Sequence, residues 1–271
     1  MRGMLLAIPM LVLAAAAPAA QWLQHPTAGI PRTPEGRPHL PAPAPRTADG
    51  RPTIAGLWRH PRRIIGDISA ALPKGDKVPF RPWAEALLKE RIANNAKDDP
   101  TSNCIVGGVP RNNLVPYPLK IIETPGLVLI LYEAIHSYRQ IFTDGRSLPT
   151  DPNPAWLGYS IGRWEGDAFV VESAGFNDNV WLDNLGHPAT DQLRVTERFI
   201  RRDFGRMDIE MTIDDPKAYT RPWTVTQPLE YYADNELIEY ICNENNRYFH
   251  IVPDANPPGR PGGSPATSQR R

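Results

Sequence analysis

Residues 157–174 read Leu157-Gly158-Tyr159-Ser160-Ile161-Gly162-Arg163-Trp164-Glu165-Gly166-Asp167-Ala168-Phe169-Val170-Val171-Glu172-Ser173-Ala174. Two short runs with aromatic and β-branched residues flank Glu165-Gly166-Asp167, where a glycine supplies the backbone freedom that a tight reversal needs. This is the signature of a β-hairpin, and the same grammar recurs on both sides. Upstream, 53–59, 120–123, 127–131 and 136–142 read as strands, with Thr124-Pro125-Gly126 between the second and third and Asp144-Gly145 after the fourth. Downstream, 193–202 and 207–213 flank Asp203-Phe204-Gly205-Arg206, and 223–232 and 236–242 flank Asp234-Asn235. One segment reads as a helix: Pro82 suits a first helical position, and Ala84, Leu87, Leu88 and Ile92 form one stripe before Asn94-Asn95. Short antiparallel strands in hairpin order close most economically as a mainly β, up-and-down, lipocalin-like barrel or a curved meander. A two-layer sandwich is the alternative.

Composition agrees with that reading. The chain holds 31 prolines in 271 residues, roughly twice the usual share of about 5%. Each proline inside a helix costs about 3 kcal/mol, so a long helical bundle or coiled coil is excluded. Lys+Arg and Asp+Glu are 30 each, which gives no electrostatic reason for a nucleic-acid or anionic-membrane partner. Residues 1–20 have the form of a signal peptide: Arg2, an apolar run from Met4, then Ala17-Pro18-Ala19-Ala20. Cleavage is expected near Ala20, with export to the periplasm or beyond. Residues 21–52 are Pro-rich without apolar periodicity and read as a polyproline-like or disordered leader. The β domain spans 53–252, and 253–271 reads as a flexible tail. No internal repeat stands out. Cys104 and Cys242 are the two cysteines, and an even count in an exported chain permits one disulfide, with two buried thiols as the alternative.

Two resemblances follow from short motifs. Gly56-Leu57-Trp58 resembles the Gly-x-Trp that opens the first strand of lipocalin-like barrels. The stretch from Gly158 to Asp167, followed by Gly175-Phe176-Asn177-Asp178 and Trp181-Leu182-Asp183, resembles a large group of uncharacterised secreted bacterial proteins over residues 50–250. That resemblance implies export and one shared fold, and it carries no settled activity.

Three pieces carry candidate chemistry. The connection 175–192 is long for a compact domain, which marks it as functional or disordered. It sets Phe176, Trp181 and Leu185 beside Asn177, Asp178, Asp183, Asn184 and His187. It therefore reads as a lid with apolar anchors, bringing acid–base groups to a barrel mouth. The bland reading is a structural lid whose Asn and Asp side chains cap its own turns. In 193–200, alternation puts Val195, Glu197 and Phe199 on one face and Thr196, Arg198 and Ile200 on the other. An inward charge needs a partner or a function: Glu197 as a general base, or Arg198 as an anion or carbonyl holder. Third, Tyr132, His136, Tyr138 and Gln140 share a face if the register survives a bend near Glu133-Ala134. His-x-His, His-Glu-x-x-His, EF-hand, phosphate-loop and nucleophile-elbow patterns are lacking, so neither a resident metal nor a nucleotide cofactor is expected.

The expectation is an exported small-molecule protein, first as a cofactor-independent lyase, isomerase or hydrolase. Glu197 or His136 would be the base, Asp183 or His187 the acid, and Arg198 or Tyr138 the oxyanion stabiliser. Trp164 and Trp181 would stack on the substrate, with Asn177 and Asp178 beside it. The alternative is a carrier that uses the same cavity without chemistry. The oligomeric state is not legible.

Overall fold

A computed structural model describes residues 26–61 and 66–244. Nine strands close one barrel in sequence order: β1 (Gly56–Arg59), β2 (Leu119–Thr124), β3 (Leu127–Tyr132), β4 (Ser137–Phe142), β5 (Tyr159–Glu165), β6 (Ala168–Ala174), β7 (Arg194–Arg201), β8 (Arg206–Asp214) and β9 (Trp223–Tyr231). The signal-peptide reading of 1–20 and the tail 253–271 fall outside the described residues.

Closure has a topological condition. If all nine strands reversed direction in turn, the first and last would run the same way. One non-reversing connection restores an antiparallel seam, and it lies between β4 and β5, which pair in parallel at Ile141–Ser160 and Phe142–Ile161. Parallel neighbours need a long crossover, and 143–158 supplies it. The seam then closes antiparallel through Trp58–Tyr231 and Arg59–Glu230. It uses the free edge of β9, so 236–242, expected as a strand, has no edge to join. Instead 233–244 crosses the barrel end: Glu133 accepts from the Ile238 amide (3.2 Å), Tyr240 packs on Tyr117 with ring centroids 4.9 Å apart, and Cys104 is bridged to Cys242.

Alternation fills the lumen. Trp58, Leu119, Ile121, Ile130, Ile141, Phe169, Val171, Val195, Phe199, Met207, Ile209, Met211, Ile213, Val225 and Leu229 form one buried core. The interior at this level is packed protein rather than an open ligand chamber. Outside it lies α1 (Pro82–Ala93), which starts on Pro82, ends at Asn94 and buries Ala84 and Leu88.

The leader is a correction to the sequence reading: residues 26–52 are ordered and docked on the barrel. Pro31-Arg32-Thr33-Pro34-Glu35-Gly36-Arg37-Pro38 and Pro45-Arg46-Thr47-Ala48-Asp49-Gly50-Arg51-Pro52 are two copies of one octapeptide hairpin, an internal repeat. The threonine amide donates to the second arginine's carbonyl (2.8 and 2.9 Å), and the glycine amide to the threonine carbonyl (2.9 Å in both). Gly36 and Gly50 take the positive φ (80° and 83°) that this turn requires. The first arginine of each copy grips an acid on the barrel: Arg32 holds Asp234 at 2.6 Å and Arg46 holds Asp167 at 2.7 Å. The Phe204 and Gly205 amides donate to Ala42 and Leu40 carbonyls (2.7 and 2.9 Å), and Ile30, Ala42 and Phe204 form a satellite core. Prolines make such docking cheaper by narrowing the unfolded ensemble.

Candidate functional site

The connection from β6 to β7 builds the site. Within it, 181–188 folds back on itself through a Trp181–Pro188 bridge and a Leu182 amide donating to the His187 carbonyl (2.9 Å). Asp183 sits at the centre of that turn. Its Oδ1 accepts from the amides of Leu185 (3.1 Å), Gly186 (2.9 Å) and His187 (3.1 Å), and Oδ2 from the Ile68 amide (2.8 Å). Gly186 has φ +93°, and a Cβ there would fall 2.6 Å from Arg91 Cδ and 3.0 Å from the Trp181 ring. Arg91 ties the turn to α1 by donating to the Gly186 carbonyl (2.8 Å), with its guanidinium 4.2 Å from the Trp181 ring centre.

The adjacent His187 is also buried and stacks on Phe80 at 5.4 Å with planes 21° apart. Its Nδ1 lies 2.7 Å from Asp183 Oδ2. That oxygen is off the line of an imidazole N–H, so the buried nitrogen makes no directional hydrogen bond. Burial alone would raise the Asp183 carboxyl pKa; the His187 ring and the Ile68 and His187 amides overcome this and hold it below the usual carboxylate range. Asp67 joins from a short helical turn, Ile68–Ala71, which it caps by accepting from the Ser69 amide (2.8 Å). One ligand atom each from Asp67, Asp183 and His187 lie within 4.8 Å of one another.

His187 and Asp67 border a cleft of about 570 Å³ whose apolar wall includes Leu72, Phe80, Leu88 and Ile92. On the other side of the same turn, Asn184 lines a second cavity of about 330 Å³ with Arg111 and Asn112. Arg111 is fully committed there, donating to Asp99 (2.8 and 2.6 Å) and to the Asn184 side-chain oxygen (3.0 Å).

Glu197, the expected base, does face inward. There it meets Arg139: both guanidinium ends donate to its carboxylate, and Asn113 Nδ2 adds a third bond at 2.5 Å. Arg139 also donates to Ser160 (3.0 Å) and Ser173 (2.7 Å), and Tyr132 donates to Asn113 Oδ1 (3.0 Å). Burial would lower the Arg139 pKa, but the Glu197 carboxylate reverses that and keeps the guanidinium protonated. The Tyr132 phenol is pushed up to about 12 by burial. A carboxylate locked to a permanent cation, with no exposed surface, has no outlet for proton transfer.

The remaining sequence candidates part company. Arg198 faces outward and pairs with Glu165 at 2.8 Å. Tyr138 is 61% exposed, because the turn Ala134–His136 shifts the alternation so that Arg139, not Tyr138, enters the lumen. His136 lies in that turn with φ 42° and accepts from the Tyr240 amide (3.1 Å). Trp164 packs on Phe169 beside the β5–β6 turn, at the end of the barrel opposite Trp181, so the two cannot stack on one substrate. Asn177 caps its own turn through the Asn179 amide (3.0 Å), and Asp178 is exposed. Asp183 and His187 are brought together, with Trp181 in the same turn. The sequence reading missed Asp67, Phe80 and Arg139. For Arg139 a signal existed: it alternates with the inward Ile141, and an inward Glu197 demands a cation.

Compared with protein-family models, curated proteins and solved structures, the chain matches none.

Proposed function

We propose that the protein is an exported enzyme that moves protons on a small, partly apolar organic molecule bound in the 570 Å³ cleft, as a lyase, isomerase or hydrolase. The observation that carries this reading is the Asp183–His187 pair: a carboxylate fixed by four backbone amides beside an imidazole that borders a cavity with an apolar wall. With Nδ1 turned to Asp183, Nε2 is the nitrogen left for a ligand, and an imidazole set beside a fixed carboxylate suits general acid–base work. Export is supported by the disulfide, a bond of oxidising compartments. No helix of the described residues is long and apolar enough to cross a membrane.

The test is to incubate the full chain with small molecules extracted from the organism that makes it, and to follow them by mass spectrometry. Masses that change with wild type and not with His187→Gln support the enzyme. A molecule that is retained unchanged by both makes the protein a carrier and overturns the proposal.

A further inference from the structure

We infer that Asp67, Asp183 and His187 bind one divalent cation, Zn²⁺ or Mn²⁺, at the floor of the 570 Å³ cleft. This rests on the cleft being the active site and gives that site its electrophile, against the sequence expectation of no metal. Three ligand atoms stand within 4.8 Å of one another, and two of the three residues border an open cavity. That is the ligand count of a catalytic metal centre, with three protein ligands and a position left for water or substrate. Each ligand is already held: Asp183 by four amides, Asp67 by its capping bond to Ser69, and His187 by the Phe80 ring.

The independent observation is the His187 Nδ1 itself. It is buried, it faces Asp183 Oδ2 at 2.7 Å, and it has no directional hydrogen bond. Buried polar atoms are nearly always satisfied, and a cation shared by that nitrogen and the carboxylate oxygen would satisfy it. In a tetrahedral site, ligand atoms about 2.0–2.2 Å from one ion stand roughly 3.3–3.6 Å apart, so the pair at 2.7 Å has to open by less than about 1 Å. One imidazole with two carboxylates suits Zn²⁺ or Mn²⁺ better than Ca²⁺, which takes oxygen ligands, or Cu(I), which takes thiolates. If the ion is Zn²⁺, it would lower the pKa of a bound water towards neutral.

The full chain, stripped with a chelator and dialysed, is titrated with ZnCl₂ and separately with MnCl₂ by calorimetry. One equivalent should bind with at least one of the two. Asp67→Asn, which keeps the capping oxygen and hence the fold, and His187→Gln should each weaken binding about 100-fold, since even outer-shell changes cost 10–100-fold. Side-chain ¹⁵N spectra should move the His187 Nδ1 resonance on metal addition. No stoichiometric binding of either ion, or binding unchanged in Asp67→Asn, overturns the inference. Turnover that persists in chelator yet is lost in His187→Gln also overturns it while leaving the enzyme reading intact. Metal binding without any turnover upholds the site and sinks the enzyme reading instead.

Discussion

Two buried carboxylates sit beside two buried nitrogen bases in this barrel, and their fates differ. In the lumen, Glu197 meets Arg139, and every further hydrogen bond of that pair ends on packed protein: Ser160 and Ser173 of the wall, or Asn113 of the turn Arg111–Asn113. In the cap, Asp183 is matched by amides of its own turn and by Ile68, while His187 keeps one edge on a cleft and one nitrogen without a directional bond. Burial of a charge therefore does not by itself mark a site. The distinguishing feature is whether the remaining valences of the pair point into packed protein or into space.

The comparison breaks first at Glu197. Glu197→Gln strands the Arg139 cation in the core and should cost about 3–5 kcal/mol in urea unfolding, whereas the double change Arg139→Met with Glu197→Leu should lie within about 2 kcal/mol of wild type or above it. A loss in the double variant as large as in the single one would show that the pair, not its completeness, holds the lumen.

A third base, the half-buried His60, sharpens the contrast through pH. Burial drives His60 down to about 4, although the backbone carbonyls of Asn113 and Pro228 oppose the shift. The unfolded chain then binds a proton near pH 6.5 that the folded chain refuses until about 4. Stability should fall as pH drops through that window, by up to about 3 kcal/mol, and His60→Gln should flatten the fall. Asp183, depressed rather than raised as a carboxyl, contributes stability above its unfolded pKa of about 4 and loses it as pH falls through its lower folded value. Replacing it by Asn should shrink the acid loss below pH 4, and cost about 1–3 kcal/mol at neutral pH through impaired acceptance from the four amides. The smallest effects belong to the surface clamps: Arg46→Ala, whose side chain is half exposed, should cost less than about 1 kcal/mol by thermal melting.

Much of the barrel was legible because strand alternation and turn residues are local properties. Glu165-Gly166-Asp167 makes its hairpin, and Val195, Glu197 and Phe199 share the inward face. The misses are all decided by distant partners. Residues 236–242 have strand-like composition, but β1 already occupies the edge they need. The Pro-rich leader docks because Asp167 and Asp234, far along the chain, receive its two arginines. Tyr138 and Arg139 exchange faces because Ile135 and His136 adopt φ of 55° and 42° in the turn before β4. Of the candidate site, the apolar anchors of 175–192 pointed to the turn that holds Asp183 and His187. Asp67 carried no such signal, since only the folded loop brings it near.

The most direct measurement is urea unfolding of Glu197→Gln and His187→Gln side by side at neutral pH. The account predicts a loss of about 3–5 kcal/mol for the first and no more than about 1–2 kcal/mol for the second, whose ring stacks on Phe80 but completes no network. Equal losses, or a larger one at His187, would contradict the division between a lumen pair that holds the fold and a cap pair proposed to serve a ligand.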